Sequence, residues 1–254
     1  MEKESFMFSF DKRTLYVILF LLVVFSLRSM TGDYLLSLLL TLPGVIVAIT
    51  FHEFAHAWMA DRLGDTTPRY QGRLTLNPLA HLDPVGLILL IFAHVGWGKP
   101  VQINPNNFTS NKSMGTCEAL VSFAGPAMNF IIAIILAFVA ALLSAFAPAT
   151  FLYSGGGQIL GTLIYATISV NIGLGVFNLI PLPPLDGEKI FRNFLPYRAL
   201  EWLDRNAYTF NLIFMVLWIT GLLGEVVSPV IGLIEKGIFS LVGIVVGVIV
   251  GIFL

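Results

Sequence analysis

The chain has 254 residues, of which 57% are hydrophobic and 11% are charged, whereas about 25% are charged in an ordinary soluble domain. With a mean hydropathy of +0.87, this composition excludes a soluble globular protein. The formal net charge of −1 gives no electrostatic reason to expect nucleic acid as a partner. The lipid bilayer is therefore the expected surrounding, and partners are expected within it.

Apolar stretches near the length of about 20 residues that crosses a hydrocarbon core recur along the whole sequence. We predict an all-α, multi-pass membrane protein with about six transmembrane helices, at 15–27, 35–60, 119–147, 159–180, 207–223 and 238–254. No segment outside these spans is long enough for a soluble module. The sequence therefore predicts one membrane-embedded domain over 1–254.

The distribution of Lys and Arg predicts the orientation of these spans, because positive loop charges favour the cytoplasmic side. Twelve of the 14 basic residues lie before the first span, between the second and third, or between the fourth and fifth. Arg28 and Lys236 are the two that do not. Both termini are accordingly expected in the cytoplasm.

The connection at 61–113 is unusual, because it is too long for a simple turn and too apolar for a solvated loop. Irregular backbone at membrane depth survives only against protein or a water-filled cavity, so we expect this segment to be partly re-entrant. Residues 96–103 alternate in polarity as a strand does. We predict a short β element there, whose edge could hold an extended substrate.

Two histidines and a glutamate stand inside the second span as His52-Glu53-Phe54-Ala55-His56. Positions four apart share one helix face, so His52 and His56 can present two imidazole nitrogens to one metal ion. The Glu53 carboxylate can then reach a water in the site without being a ligand, as a general base must. A chance match is the alternative, but no other ionisable residue occurs at 35–60, and buried ionisable groups in membranes usually serve a site.

A third ligand is needed, because catalytic zinc usually has three protein ligands and one open position. Asp186 follows three prolines that must end the fourth span, and Gly187 after it permits unusual backbone angles. The predicted topology places Asp186 at the depth of the two histidines. Alone, Asp186 would be an ordinary turn residue, but together with the histidines it is our predicted third ligand.

Other polar residues within the spans leave alternatives open. The Asn178 amide could stabilise the oxyanion of a tetrahedral intermediate or could make a hydrogen bond between helices. Gly125-Pro126-Ala127-Met128-Asn129 is expected to let the third span pack closely against the second. His81 and His94 have no ligand partner at suitable spacing and are expected to be structural.

Together these motifs resemble the site-2 protease family of intramembrane zinc metalloproteases, in its compact bacterial and archaeal branch without a PDZ or CBS module. The resemblance covers about 35–190 and rests on the His52–His56 motif, on 125–129, and on Asn178 to Gly187 as an N-x-x-P-x-x-P-L-D-G pattern. It implies one Zn²⁺ per chain, a bacterial or archaeal cell membrane, and Asn178 as a substrate or oxyanion contact.

The sequence therefore predicts a zinc endopeptidase that hydrolyses peptide bonds within or near transmembrane segments of other membrane proteins. In this hypothesis His52, His56 and Asp186 hold the metal, and Glu53 is the catalytic base. One alternative is a divalent-metal transporter, which would need acceptor groups along a continuous path across the bilayer. A second alternative is a catalytically inactive scaffold that binds membrane substrates.

Overall fold

The structure, a computed structural model, describes residues 31–93 and 96–253. The predicted first span at 15–27 and His94 lie outside these residues. The described part is almost entirely helical, with two 3₁₀ turns at Pro78–Ala80 and Pro105–Asn107. Its helices are α1 Gly32–Arg62, α2 Thr67–Tyr70, α3 Pro84–Ala93, α4 Met114–Phe146, α5 Ala149–Leu152, α6 Gly155–Asn178, α7 Asp186–Arg192, α8 Tyr197–Ile219 and α9 Leu222–Phe253.

Four of the described helices are long and apolar enough to cross a membrane, namely α1, α4, α6 and the part of α9 at Leu222–Gly251. Three of them begin at a hydroxyl cap, where the side chain of Thr31, Ser113 or Ser154 accepts a hydrogen bond from a backbone N–H of the first turn. The chain is thus an integral membrane protein of mainly α structure.

Helices α1, α4 and α6 pack against one another and form the centre of the described structure. Small residues permit this close packing, since a Cβ atom added at Gly44 of α1 would lie 2.9 Å from the Cα atom of Thr167 on α6. An apolar core joins α4 and α6 to α8 and α9, with Ile168 and Ile172 of α6 fully buried in it. Polar groups on α1, α4 and α6 are therefore enclosed by apolar surface.

The connection at 61–113 folds back against the end of α1 and contains the short helices α2 and α3. Its organising residue is the fully buried Asp65, whose carboxylate accepts hydrogen bonds from the Asn104 backbone N–H at 2.7 Å and from Asn107 Nδ2 at 2.9 Å. The Thr109 N–H also donates to the Leu63 carbonyl oxygen at 3.0 Å. These bonds anchor the far part of the connection to the end of α1.

The prediction of a strand at 96–103 is wrong for the described residues, where an isolated antiparallel bridge between Leu82 and Gly98 is the only β pairing. The alternating polarity of 96–103 accompanies contacts with side chains and not the pairing of strands. The Lys99 N–H donates to the His81 carbonyl oxygen, but Arg73 binds the Lys99 and Pro100 carbonyls and Glu53 accepts from the Val101 N–H, so side chains take the place of a neighbouring strand. Pro100 also has no N–H to donate to a ladder.

The last two predicted spans have different bounds in the structure. Residues 207–219 of the span expected at 207–223 fall in α8. The first half of α8 carries Glu201, Asp204 and Arg205, so its apolar part is short for a crossing and α8 is not among the four candidates. The connection at 224–237 between the last two predicted spans, which contains Lys236, is part of the continuous helix α9. Within this helix, Glu235 accepts a hydrogen bond from the half-buried Ser169 hydroxyl of α6.

Candidate metal centre

The structure brings His52, His56 and Asp186 to one point, although Asp186 lies 134 positions after His52. The histidines are one turn apart on α1, and their Nε2 atoms are 3.0 Å apart. Asp186 Oδ2 lies 3.1 Å from His52 Nε2 and 3.2 Å from His56 Nε2. Both histidines are buried, with 6% and 8% of their surface exposed.

The other ring nitrogen of each histidine has a partner that can only accept a hydrogen bond. His52 Nδ1 lies 2.7 Å from Asn129 Oδ1, and His56 Nδ1 lies 2.7 Å from the Val121 carbonyl oxygen. In the neutral imidazole each Nδ1 therefore carries the proton, and each Nε2 is left with a lone pair. This assignment directs both Nε2 lone pairs toward Asp186.

This donor set fits a metal ion. Two Nε2 lone pairs and a carboxylate oxygen face one another without a proton between them, an arrangement that a bound cation stabilises. Two imidazole nitrogens and one carboxylate oxygen are also a typical set of catalytic zinc ligands, with one position left open. The Nδ1 hydrogen bonds are the outer contacts that usually fix the ring of a zinc-binding histidine.

Gly125 lets α4 approach this cluster. A Cβ atom at this position would lie 2.5 Å from His56 Nε2 and 2.7 Å from His52 Cε1, closer than atoms can pack without displacement. The expected close packing of this part of α4 against α1 is therefore observed, and its target is the histidine pair itself.

Asn129 is a residue of this site that the sequence analysis treated only as part of a packing motif. It is fully buried, and besides its contact with His52 its Nδ2 donates to the Ala48 carbonyl oxygen and to Asn171 Oδ1, each at 3.0 Å. These two donations fix the amide so that Oδ1 faces the histidine. The available signal was an amide inside an apolar span, which needs a buried partner.

Asp186 is the first residue of α7 and follows the proline-rich segment at 179–185, which begins where α6 ends. Gly187 does not adopt the unusual backbone angle that the sequence suggested, since its φ is not among the positive values of the described glycines. It is needed for close approach, because a Cβ atom there would lie 2.5 Å from the Leu179 carbonyl group.

Glu53 lies beside the cluster and is not one of the three converging groups. Its Oε2 accepts a hydrogen bond from the Val101 backbone N–H at 2.9 Å. A Cβ atom at Gly98 would lie 3.8 Å from Glu53 Oε1, so the segment around 98–101 passes directly over this carboxylate. The predicted base is thus held by the connection between α1 and α4.

The structure also locates Asn178 and His81, which are not among the three converging groups. Asn178 is the last residue of α6, and its Nδ2 donates to the Leu174 carbonyl oxygen at 3.0 Å. The structure does not join it to the three converging groups. His81 is fully buried, with Nε2 2.7 Å from the Thr75 carbonyl oxygen, which agrees with a structural use.

Comparison with known proteins identifies the family. Residues 40–221 match the profile of Peptidase family M50. The chain is 39% identical to YwhC of Bacillus subtilis over 78% of this chain and 88% of that protein, and 35% identical to Rip2 of Mycolicibacterium smegmatis over 59% and 54%. Both names assign those proteins provisionally to the zinc metalloproteases. MJ0392 of Methanocaldococcus jannaschii, named a zinc metalloprotease, is 26% identical over 70% of this chain and 40% of its own length.

The family profile covers most of the chain, including His52, His56 and Asp186, so the chain belongs to Peptidase family M50. No solved structure matches it significantly.

Proposed function

We propose that this protein is an intramembrane zinc endopeptidase that cleaves transmembrane segments of other membrane proteins. The observation that carries the proposal is the convergence of His52 Nε2, His56 Nε2 and Asp186 Oδ2 within about one hydrogen-bond length. This convergence occurs on helices long and apolar enough to cross a membrane. A zinc metalloprotease is also the class that its family defines.

In this proposal His52, His56 and Asp186 hold the zinc ion. When bound, zinc supplies a Lewis acid that polarises the scissile carbonyl and makes water a stronger acid. Asn129 and the Val121 carbonyl keep the two imidazole rings in the tautomer that presents Nε2. Burial of the histidines limits competition from bulk water at these ligands.

Glu53 is the proposed general base and acid. Its carboxylate takes a proton from the attacking water as the C–O bond forms. It then gives that proton to the leaving nitrogen as the peptide C–N bond breaks. Because the Val101 N–H already occupies Oε2, Oε1 is the oxygen that receives and returns the proton.

Asn178 is the proposed contact for the substrate carbonyl oxygen. Its amide group has two N–H donors, of which the Leu174 carbonyl needs one. The second donor could bind the oxyanion that forms during attack. Asn178→Ala should then retain zinc and lose about 10²–10³-fold in kcat.

We further propose a single membrane domain over 1–254, with the catalytic core at about 35–190 and the 61–113 connection partly re-entrant on the cytoplasmic side. Helix α3 has ten residues, or about 15 Å, so it can enter a bilayer without crossing it. The connection would then give water access to the site from the cytoplasm. A transmembrane substrate must unwind before cleavage, because helical backbone bonds shield the peptide.

The proposed orientation places both termini in the cytoplasm of a bacterial or archaeal cell, and the basic residues of the connections support it. It requires an even number of crossings. The four candidate helices satisfy this requirement, and the two further spans predicted from the sequence, at 15–27 and 207–223, would keep the number even.

The test uses a panel of synthetic single-span peptides, each with a fluorophore and a quencher on opposite sides of the span, incubated with the protein in detergent. Cleavage should stop when zinc is chelated and should return when zinc is restored. The same protein in sealed vesicles should carry no zinc flux. Zinc flux without cleavage would indicate the transporter, and zinc binding without cleavage or flux would indicate the scaffold.

A further inference from the structure

Two hydrogen bonds fix the backbone from Lys99 to Val101 next to Glu53, the predicted base. The Lys99 N–H donates to the His81 carbonyl oxygen at 2.7 Å, and the Val101 N–H donates to Glu53 Oε2 at 2.9 Å. Pro100 between them has no N–H. The backbone N–H groups of Lys99 and Val101 therefore bind other groups of the protein and are not available to an extended substrate.

Arg73 holds the same backbone from its other side. Its guanidinium donates to the carbonyl oxygens of Lys99 at 3.0 Å and Pro100 at 2.7 Å, and also to that of Ala80. The side chain is 5% exposed, and within the described residues no carboxylate lies in ion-pair distance of it. Burial lowers the pKa of Arg73, and the charge of Glu53 opposes this effect, which places the two groups in the same electrostatic environment.

A buried guanidinium without a contacting carboxylate is costly to retain. An apolar side chain of similar size would avoid this cost but would leave the carbonyl oxygens of Ala80, Lys99 and Pro100 without this donor. Arg73 instead supplies what an apolar side chain cannot, since its planar fork carries five donors in fixed directions and binds three carbonyls from two separate turns. This geometry fixes the backbone that carries the Val101 N–H.

We propose that Arg73 is a positioning residue for catalysis, which acts through the Lys99–Val101 backbone to hold Glu53 Oε2 and so directs Oε1 toward the water. The inference rests on the proposed role of Glu53 as the base. A glutamate side chain has three rotatable bonds, so a fixed donor on one oxygen restricts the position of the other. A base displaced by about 1 Å can lose about 10²-fold in rate.

The first test compares variants of Arg73 in the peptide-cleavage assay. Arg73→Ala should lower kcat about 10²-fold while KM and zinc content stay near the wild-type values. Arg73→Lys should recover part of the loss, since one ammonium can reach some of the three carbonyls. Arg69→Ala is the matched control, because Arg69 lies in the same connection but is 60% exposed and pairs with Asp61; its kinetics should be unchanged.

The second test removes the donor itself and does not depend on the folding of the Arg73 variants. Val101→Pro lacks the N–H that Glu53 accepts, whereas Val101→Ala keeps it and measures the cost of losing the side chain alone. Val101→Pro should have a kcat about 10²-fold below that of Val101→Ala. The double variant Arg73→Ala/Val101→Pro should be no slower than the slower single variant, because both changes break one chain of contacts.

The outcomes separate this inference from the proposed function. Equal kcat values for Val101→Pro and Val101→Ala, or additive losses in the double variant, would overturn the positioning role while leaving Glu53 as the base. A loss of zinc with Arg73→Ala, or a change confined to KM, would also overturn it. Full cleavage by Glu53→Gln would instead refute the proposed function on which the inference rests.

Discussion

Asn129 Oδ1 lies 2.7 Å from His52 Nδ1, so a residue of α4 controls the ring of a predicted ligand on α1. The contact links the helix that carries the histidines to the two other central helices, because Asn129 also donates to Asn171 of α6. All three side chains are buried, where an unpaired polar group would cost about 1–3 kcal/mol. The metal centre therefore includes Asn129 and Asn171, which support the predicted ligands without being ligands themselves.

Replacement of Asn129 should weaken zinc binding. Asn129→Ala leaves the His52 Nδ1–H without an acceptor and frees the ring to turn, so the affinity for zinc should fall about 10–100-fold. Competition with a chelator of known affinity measures this change. Asn129→Asp retains an oxygen for Nδ1 and should bind zinc more tightly than Asn129→Ala; the reverse order would contradict the proposed contact.

A methyl group at Gly125 should damage the site through sterics alone. In Gly125→Ala the new Cβ atom would lie 2.5 Å from His56 Nε2, so the histidine must move or the helices must separate. Zinc content and cleavage should both fall. Gly161→Ala on α6 is the matched control, because no heavy atom lies within 4 Å of its Cβ position; if both variants behaved alike, the close approach of α4 would be irrelevant.

Asp186→Ala should lose both zinc and activity, because it removes one of the three converging groups. Elemental analysis of the purified variant should find well below one zinc per chain. Lys189→Ala changes an exposed residue of the same helix and should keep its zinc. A full complement of zinc in Asp186→Ala would remove Asp186 from the ligand set.

The stability of the 61–113 connection should depend on the ionisation of Asp65. Burial raises the pKa of Asp65, but hydrogen bonds from Thr67, Asn104 and Asn107 outweigh it and leave the pKa lowered. A group whose pKa is depressed by folding stabilises the protein above its unfolded pKa, near 4 for Asp. That contribution is lost as the pH falls through the folded pKa.

Thermal unfolding in detergent between about pH 3 and pH 7 tests this dependence. Asp65→Asn should be less stable than the wild type at pH 7, by about 1–3 kcal/mol for broken buried hydrogen bonds. The difference should shrink below about pH 4, because the Asp65 carboxyl of the unfolded wild type begins to bind a proton there while the folded carboxyl is still charged. A constant difference across this range would show that the charge of Asp65 contributes nothing.

The parts of the site that could be predicted from sequence are those set by local geometry. Helical periodicity alone places His52 and His56 on one face, and loss of helix at the prolines before Asp186 allows a ligand to turn inward. Asn129 could not be assigned in the same way, since its partner lies 77 positions away. A buried amide has many possible partners, and only the packing of α1 on α4 selects one.

The two fold predictions that differ from the structure, at 96–103 and at 235–236, also involve contacts between residues far apart in the sequence. Polarity at 96–103 alternates as in a strand, but the partners of its backbone are Arg73 and Glu53, which no local pattern reveals. The adjacent charged residues Glu235 and Lys236 are typical of a loop between two spans. In the structure both lie within one continuous helix, where Glu235 accepts a hydrogen bond from Ser169, 66 positions earlier.

Zinc content and peptide cleavage, measured on the same sample of Glu53→Gln, test directly whether Glu53 is the base of a zinc endopeptidase. Glutamine keeps nearly the shape of glutamate but cannot take a proton from water. We predict one zinc per chain in this variant and a cleavage rate about 10²–10⁴-fold below that of the wild type. Cleavage at the wild-type rate by the zinc-loaded variant would contradict this prediction.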